Sequence, residues 1–482
     1  MRNLTPAAKA IVFAAAAVLI GTQPVRAATY YWDNNADTAG FGTAGGTWSS
    51  SSSNFSSDSA GLTIPSGTQA TAAGDTAVFG TATDGLAAGS IAVSGTVNVN
   101  NLNFGSASGA ITLTSTSGTL ALGTGASVIT VDSASATIDP AITGTGTFTK
   151  QGAGTLNLTA GSSGFTTTGN SIFVNAGTLQ FNGGNGSLSS AGTLTVASGA
   201  TVAYNRSNTT TPLYQITGDG SVSQISSAGG VTLNRTNNYT GGTTLSAGTL
   251  NIANTSAIGS GALTISGGTL ANSTGSSITL STNNVQNWNG DFAFGSTRSL
   301  NVGTGAVTLS ANRTVTVNGT TSNFLTVGGA IGDGVNSFSL SKAGTGGMQL
   351  NGVNTYDGGT TVSAGILAVG SGGGTFGTGN VTVTGGTLDL NNGGALADSA
   401  TLTFASGTTI NLDFTGADTL AGIASGATSI GEGTYNAAAL NTFFGGTTFT
   451  GVGSLTVAVP EPASLGLLGL AGLLGLRRRR RA

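Results

Sequence analysis

From about Ser90 to Ala458 the chain alternates apolar and polar residues in short runs: Leu156-Asn157-Leu158, Leu194-Thr195-Val196, Leu263-Thr264-Ile265, Val381-Thr382-Val383 and Leu402-Thr403-Phe404. A period of two places the apolar side chains of each run on one sheet face, so each run is a half-buried strand. Gly, Asn and Ser separate them and supply the positive φ angles of tight corners. About three to six such residues are too few for a crossover helix, and no stretch of this body shows helical periodicity. Parallel neighbours must then come from coiling the chain itself. The expected fold is all-β, a right-handed parallel β-helix or β-solenoid in which each strand pairs with the strand one turn later; a β-sandwich array is the alternative. Stacking like on like accounts for Thr and Asn columns outside and Leu and Val columns inside. A coil of ~20 to 25 residues gives roughly 17 to 20 rungs at ~4.8 Å each, a rod of about 80 to 100 Å.

One vocabulary rich in Gly, Thr, Ser and Asn runs through this body without a shift, which favours one elongated array over several domains. Between Ala28 and Pro462 six Lys and Arg face seventeen Asp and Glu, a net charge of −11. Phosphate recognition needs clustered cations, so a nucleic-acid partner is not expected. Cysteine is absent, so the core and the backbone ladder must stabilise the chain without disulfides.

The two ends differ from the body. Residues 1–27 carry Arg2 and Lys9, an apolar run from Ala10 to Ile20, and Val25-Arg26-Ala27 with small residues at the positions a signal peptidase reads. This is a secretory leader with a signal helix, cut between Ala27 and Ala28; its apolar run is shorter than the ~20 residues of a spanning helix. At the other end Pro460-Glu461-Pro462 precedes an apolar segment from Ala463 to Leu476, then Arg477, Arg478, Arg479, Arg480 and Arg481. Arginines directly after an apolar run stay on the cytoplasmic side, which predicts a short transmembrane helix with the body outside. The tail resembles a PEP-CTERM sorting signal, with Pro-Glu-Pro, a single hydrophobic helix and an arginine-rich end in order. The resemblance implies an exosortase-like processing protease as partner, cleavage near the motif, and export to the envelope or extracellular matrix of a Gram-negative bacterium after a transient inner-membrane anchor.

Within the body, Asn237 to Leu250 (NNYTGGTTLSAGTL) lies over Asn354 to Leu367 (NTYDGGTTVSAGIL) without a gap, and a looser copy ends at Asn170 to Leu179. Upstream, Lys150 to Leu158 corresponds to Lys342 to Leu350. The pattern resembles the autotransporter-associated β-strand repeat, in which Lys-x-Gly-x-Gly-x-Leu-x-Leu leads through Asn-x-Tyr-x-Gly-Gly-Thr to Ala-Gly-x-Leu. The middle copy departs from it with Ile225 in the lysine position, and the first has Gly164-Phe165 where the tyrosine belongs. Tyr30 to Trp48 also looks like the opening of proteins that carry such repeats, which are typically large secreted surface molecules. The expected organisation is a signal peptide (1–27), an N-terminal cap with first rungs (28–89), a solenoid (90–458) with repeats at about 142–181, 215–252 and 330–369, and the sorting segment (459–482).

With neither His nor Cys, serine-hydrolase triads, cysteine nucleophiles and His-ligated zinc are excluded. Carboxylates remain: Asp132 with Asp139, Asp389, and Asp413 with Asp418, thinly spread, with the six body cations (Lys150, Arg206, Arg235, Arg298, Arg313 and Lys342) far apart. Asp413, between Leu412 and Phe414, points away from the apolar face, whereas Asp418 reads as a turn residue capping amides. Gly372-Gly373-Gly374 lacks the Lys and helix of a phosphate loop and reads as a corner. Asp333 lacks the tandem spacing of calcium β-rolls. Trp32, Trp48 and Trp288 are the aromatics available for stacking on sugars, the first two being assigned to the cap. No catalytic, metal or cofactor site is expected. The expected function is a structural or adhesin-like surface protein, with extracellular polysaccharide among the partners; the alternative is a carbohydrate-active solenoid enzyme, since a fold does not dictate an activity.

Overall fold

The computed structural model describes residues 27–35, 38–63, 70–115, 117–159, 172–183 and 192–458. These residues form a parallel β-solenoid of about 15 turns. Thr155 lies beside Thr178 and Thr178 beside Thr201, two successive turns of 23 residues. Turns in the body vary from 19 residues (Gly230 to Thr249) to 27 (Arg313 to Leu340). Every pairing in the body is parallel, which rules out the β-sandwich; the antiparallel pairs, such as Tyr31 with Ser56 and Thr434 with Thr456, lie at the two ends. At ~4.8 Å per turn the rod is about 70 Å long. It is shorter than the sequence spacing predicts because both ends contain excursions: Thr29 pairs with Thr76, and Ile410 with Phe449.

Alternation does what the period of two requires. In Thr387–Leu390 and Thr409–Leu412 the Leu and Ile side chains are buried and the Thr, Asp and Asn between them look outward. The buried side chains stack into one core from Trp32 to Val457. At the N-terminal end Trp32 and Trp48 pack edge-on against Phe55, at 5.0 and 5.3 Å between ring centroids, and close the first turn. The C-terminal end is closed by a helix, Ala437–Phe444, that the sequence reading did not anticipate. Asn436 caps it by accepting from Ala439 N, and Gly445 ends it in the left-handed region. Eight residues with two buried positions are too short to register as a period of 3.6. Covering both ends removes the open ladder edges on which copies of a solenoid would stack.

The ladder is divided among sheets that do not run the whole length. A nine-stranded sheet ends at Gln215–Thr217 and a thirteen-stranded sheet at Ile331–Gly332, while a twelve-stranded sheet begins at Thr209–Thr210 and an eight-stranded one at Ile278–Thr279. Strand pairing is thus handed from face to face along the rod. Most of the leader, the Pro460-Glu461-Pro462 motif, the apolar tail and the five arginines lie outside the described residues. Among the described residues no helix is long and apolar enough to cross a membrane. We expect circular dichroism dominated by sheet and an elongated small-angle scattering profile; a compact profile would contradict the rod.

Candidate functional site

The residues that define the repeats all act on the ladder. Lys150 and Lys342 are fully buried. The Lys342 ammonium donates to the carbonyls of Ala343, Gly344 and Ala364 at 2.9, 2.9 and 3.1 Å. Lys150 does the same to Gln151, Gly152 and Ala176 at 2.9, 2.7 and 3.1 Å. Three N–H donors meet three carbonyls, two from the lysine's own corner and one from the next turn. Gly365 follows Ala364 with φ +68°, and a Cβ there would meet the Gly346 carbonyl oxygen, which explains the Gly of Ala-Gly-x-Leu. Burial pushes both lysines down to about 8.

Register corrects the sequence reading of the middle copy. Lys342 lies opposite Val362 and Lys150 opposite Val174, and the residue in the same place opposite Leu245 is Gln224, not Ile225. Its Nε2 donates to Ser226, Gly229 and Ala247 oxygens at 3.1, 3.4 and 3.3 Å, a looser copy of the same cradle. Its Oε1 is buried without a partner, because a ring of carbonyls offers a glutamine acceptor nothing. A gap in alignment by one residue concealed this, since a one-residue slip moves a strand side chain to the other face.

The Asn-x-Tyr element marks where a sheet stops. Asn237 Oδ1 accepts from Ile216 N at 2.8 Å, and Asn354 Oδ1 from Ile331 N at 2.7 Å. Ile216 and Ile331 belong to the last strands of the nine- and thirteen-stranded sheets. The asparagine amide therefore replaces the backbone carbonyl that a further strand would bring, and its own Nδ2 donates to the following turn at Ala257 or Thr375. The tyrosines are buried beneath: Tyr356 bonds Thr360 Oγ1 at 2.7 Å, which donates to Phe376 O at 2.6 Å, and Tyr239 bonds Thr243 at 2.6 Å. We expect Tyr356→Phe to cost about 1 kcal/mol in denaturant titration, one hydrogen bond, since Thr360 keeps its own acceptor.

The candidate carboxylates do not converge with a base. Asp389 is half-buried and accepts from Asn411 at 2.9 Å, and burial with nearby Asp413 raises its carboxyl. Asp413 is exposed, as expected. Asp418 is not a turn residue: it lies in the strand Ala417–Leu420, 1% exposed, accepts from Leu396 N, and is pushed up to about 6 by burial. Asp139 accepts from Thr159 and Asp333 from Phe338 N, both as struts between or within turns, while Asp132 is exposed beside Lys150. Gly372 and Gly373 lie in a turn that Gly374 follows. Trp288 is buried with its ring on Phe292, so no tryptophan presents a sugar platform among the described residues. The one ion pair among those residues joins Arg313 and Asp291 at 3.9 Å, and they hold no cluster of three metal-ligating side chains. Near the C-terminal cap, two adjoining grooves of about 400 and 410 Å³ share Phe404, Ser406 and Ser425.

A family model for the passenger-associated transport repeat matches residues 148–181, 226–252 and 340–369; the first and third contain the cradle lysines, and the second begins two residues after Gln224 and contains its three acceptors. A second model, the PEP-CTERM protein-sorting motif, matches residues 458–481. The chain carries passenger-associated transport repeats and a PEP-CTERM sorting motif. No curated protein and no solved structure matches. In the first and third copies the matched stretch is about one and a half turns, its lysine strand pairing with the strand one turn on, Lys150 with Val174 and Lys342 with Val362.

Proposed function

We propose that this chain is an exported structural rod of the cell surface, adhesin-like, coiled with a right hand, and delivered through its PEP-CTERM tail. The observation that carries the reading is that the residues with chemistry to offer are spent as struts. The repeat lysines, asparagines and tyrosines bond to corners and sheet ends, and the weakly charged outer columns repeat from turn to turn. Delivery proceeds in two cuts. The leader leaves between Ala27 and Ala28, and an exosortase-like protease acts near Pro460-Glu461-Pro462. The segment from Ala463 to Leu476 would span about 21 Å as a helix, short against a ~30 Å hydrocarbon core, so it serves as a transient inner-membrane anchor held by Arg477 to Arg481. Two prolines disfavour helix, which suits a segment that a protease must cut.

Processing is tested in a host that carries the protease. Replacing Pro460-Glu461-Pro462 by alanines should leave the protein inserted and untrimmed in the membrane fraction, and Arg477 to Arg481 replaced by Ser should weaken retention. Release and trimming of the triple-alanine protein like wild type would end the sorting reading. A polysaccharide is the surface ligand this reading favours, and the groove lined by Thr408, Thr409, Thr447, Thr448 and the partly exposed Phe444 offers it hydroxyls beside one aromatic ring. Co-sedimentation with a polysaccharide panel, alongside assay of new reducing ends, separates binding from the alternative of cleavage.

A further inference from the structure

The N-terminal cap contains a buried carboxylate, Asp75, that no side-chain cation among the described residues pairs with. Asp75 is 3% exposed. Its Oδ2 accepts from Ala72 N at 2.7 Å and its Oδ1 from the backbone nitrogen of Ala28 at 2.8 Å. Ala28 O in turn accepts from Thr76 N at 2.8 Å, and the ladder begins one residue later with Thr29 beside Thr76. Ala27, immediately before, is exposed. The predicted leader cut therefore falls at the boundary between exposed chain and the first paired residue, and the nitrogen it frees is the one already held by Asp75.

We propose that leader removal creates an ion pair: the new α-ammonium of Ala28 binds the buried Asp75 carboxylate and locks the first turn of the rod. The inference rests on the leader reading above. Hydrolysis adds one water across the Ala27–Ala28 peptide bond. The Ala27 carboxylate departs with the leader, and the proton it releases is taken up by the Ala28 amine. An amide N–H that donates to Asp75 before the cut becomes a charged donor in the same place, and a hydrogen bond between ions is about twice as strong as one between neutral groups. A buried carboxylate is costly without a partner, and here the partner is generated by export itself. The unprocessed chain holds the same contact without the charge.

The test uses the exported protein, its first residue read by N-terminal sequencing, in two forms: free amine and N-terminally acetylated. Acetylation keeps an N–H on Ala28 and removes the charge. In the free form the amine, followed by NMR of labelled alanine, should titrate at least about one unit above its ordinary ~7.7 to 8, a tenfold tighter hold on its proton. Because this folded value is raised, the added stability is full below pH ~7.7 and is lost as the pH rises through the folded value. The free form should therefore resist denaturant better than the acetylated form at pH 6.5, with the gap closing at high pH and absent in Asp75→Asn. If Asp75→Asn does not fold, the comparison of the free and acetylated wild-type forms decides alone. An amine that titrates at its ordinary value, with equal stability in both forms, overturns the ion pair. Export beginning at a residue other than Ala28 overturns the leader reading instead.

Discussion

Leu388→Asp should lower the stability of the C-terminal turns by more than about 4 kcal/mol, as read by urea denaturation with far-ultraviolet circular dichroism. Leu388 is fully buried and lies in register between Leu367 of the previous turn and Ile410 of the next. Truncating a buried leucine costs about 2 to 5 kcal/mol, and the carboxylate adds the penalty of an unpaired buried charge. No Lys or Arg is present in its own or the adjacent strands, whose outward residues are Thr, Asp, Asn, Ile and Ala. Since each turn touches only its neighbours, the loss should spread along the stack and appear as an early partial transition. Leu388→Ala should show the truncation cost alone. A single transition with an unchanged midpoint in Leu388→Asp would refute the inward register.

Lys342→Met should cost about 3 to 5 kcal/mol by the same measurement. It leaves the carbonyls of the half-buried Ala343, Gly344 and Ala364 without the donor that joins them. Lys342→Gln should cost clearly less, because Gln224 fills the equivalent place in the middle repeat, though not zero, since Gln224 Oε1 is left without a partner. The pH dependence has a defined sign. Burial lowers Lys342 to about 8, so between about 8 and 10.5 the unfolded chain binds the proton and the folded one does not. The stability this brings is fully present above about 10.5 and is lost as the pH falls towards 8. Wild type should thus gain stability on going from pH 8 to pH 10, and Lys342→Met should gain less. Above about 10 the gain reverses, because burial raises the phenols of Tyr239 and Tyr356: they keep their protons in the folded chain while the unfolded chain loses them. A gain equal to wild type in Lys342→Met would assign the effect elsewhere.

Much of the candidate site was visible as a pattern before it was intelligible as structure. Asn354, Tyr356 and Gly365 stand out because the copy at Asn237 repeats them, and Lys342 because Lys150 does, yet spacing alone leaves their roles open. A lysine in a strand reads as a solvated charge until the coil places it under a corner of carbonyls. Gln224 escapes a gapless alignment because the middle copy holds one extra residue before Leu233, and only the pairing of Gln224 with Leu245 puts it in the lysine's position. Asp418 read as a turn residue from its Gly-Ala surroundings and is instead an inward strand residue bonded to Leu396, twenty-two positions earlier.

Local chemistry in the sequence determined the strands, their inward and outward faces, the glycine corners and the parallel coil, because period-two alternation and short connections leave few other ways to bury the Leu and Val side chains. The sorting motif and the repeats were likewise readable, being contiguous in the chain. The tertiary structure alone decided which side chain meets which turn. The number of turns, the points where one sheet yields to the next and the contact between Ala28 and Asp75 all depend on partners 19 to 47 residues apart. Turn lengths from 19 to 27 residues set those distances, and no single period in the sequence encodes them.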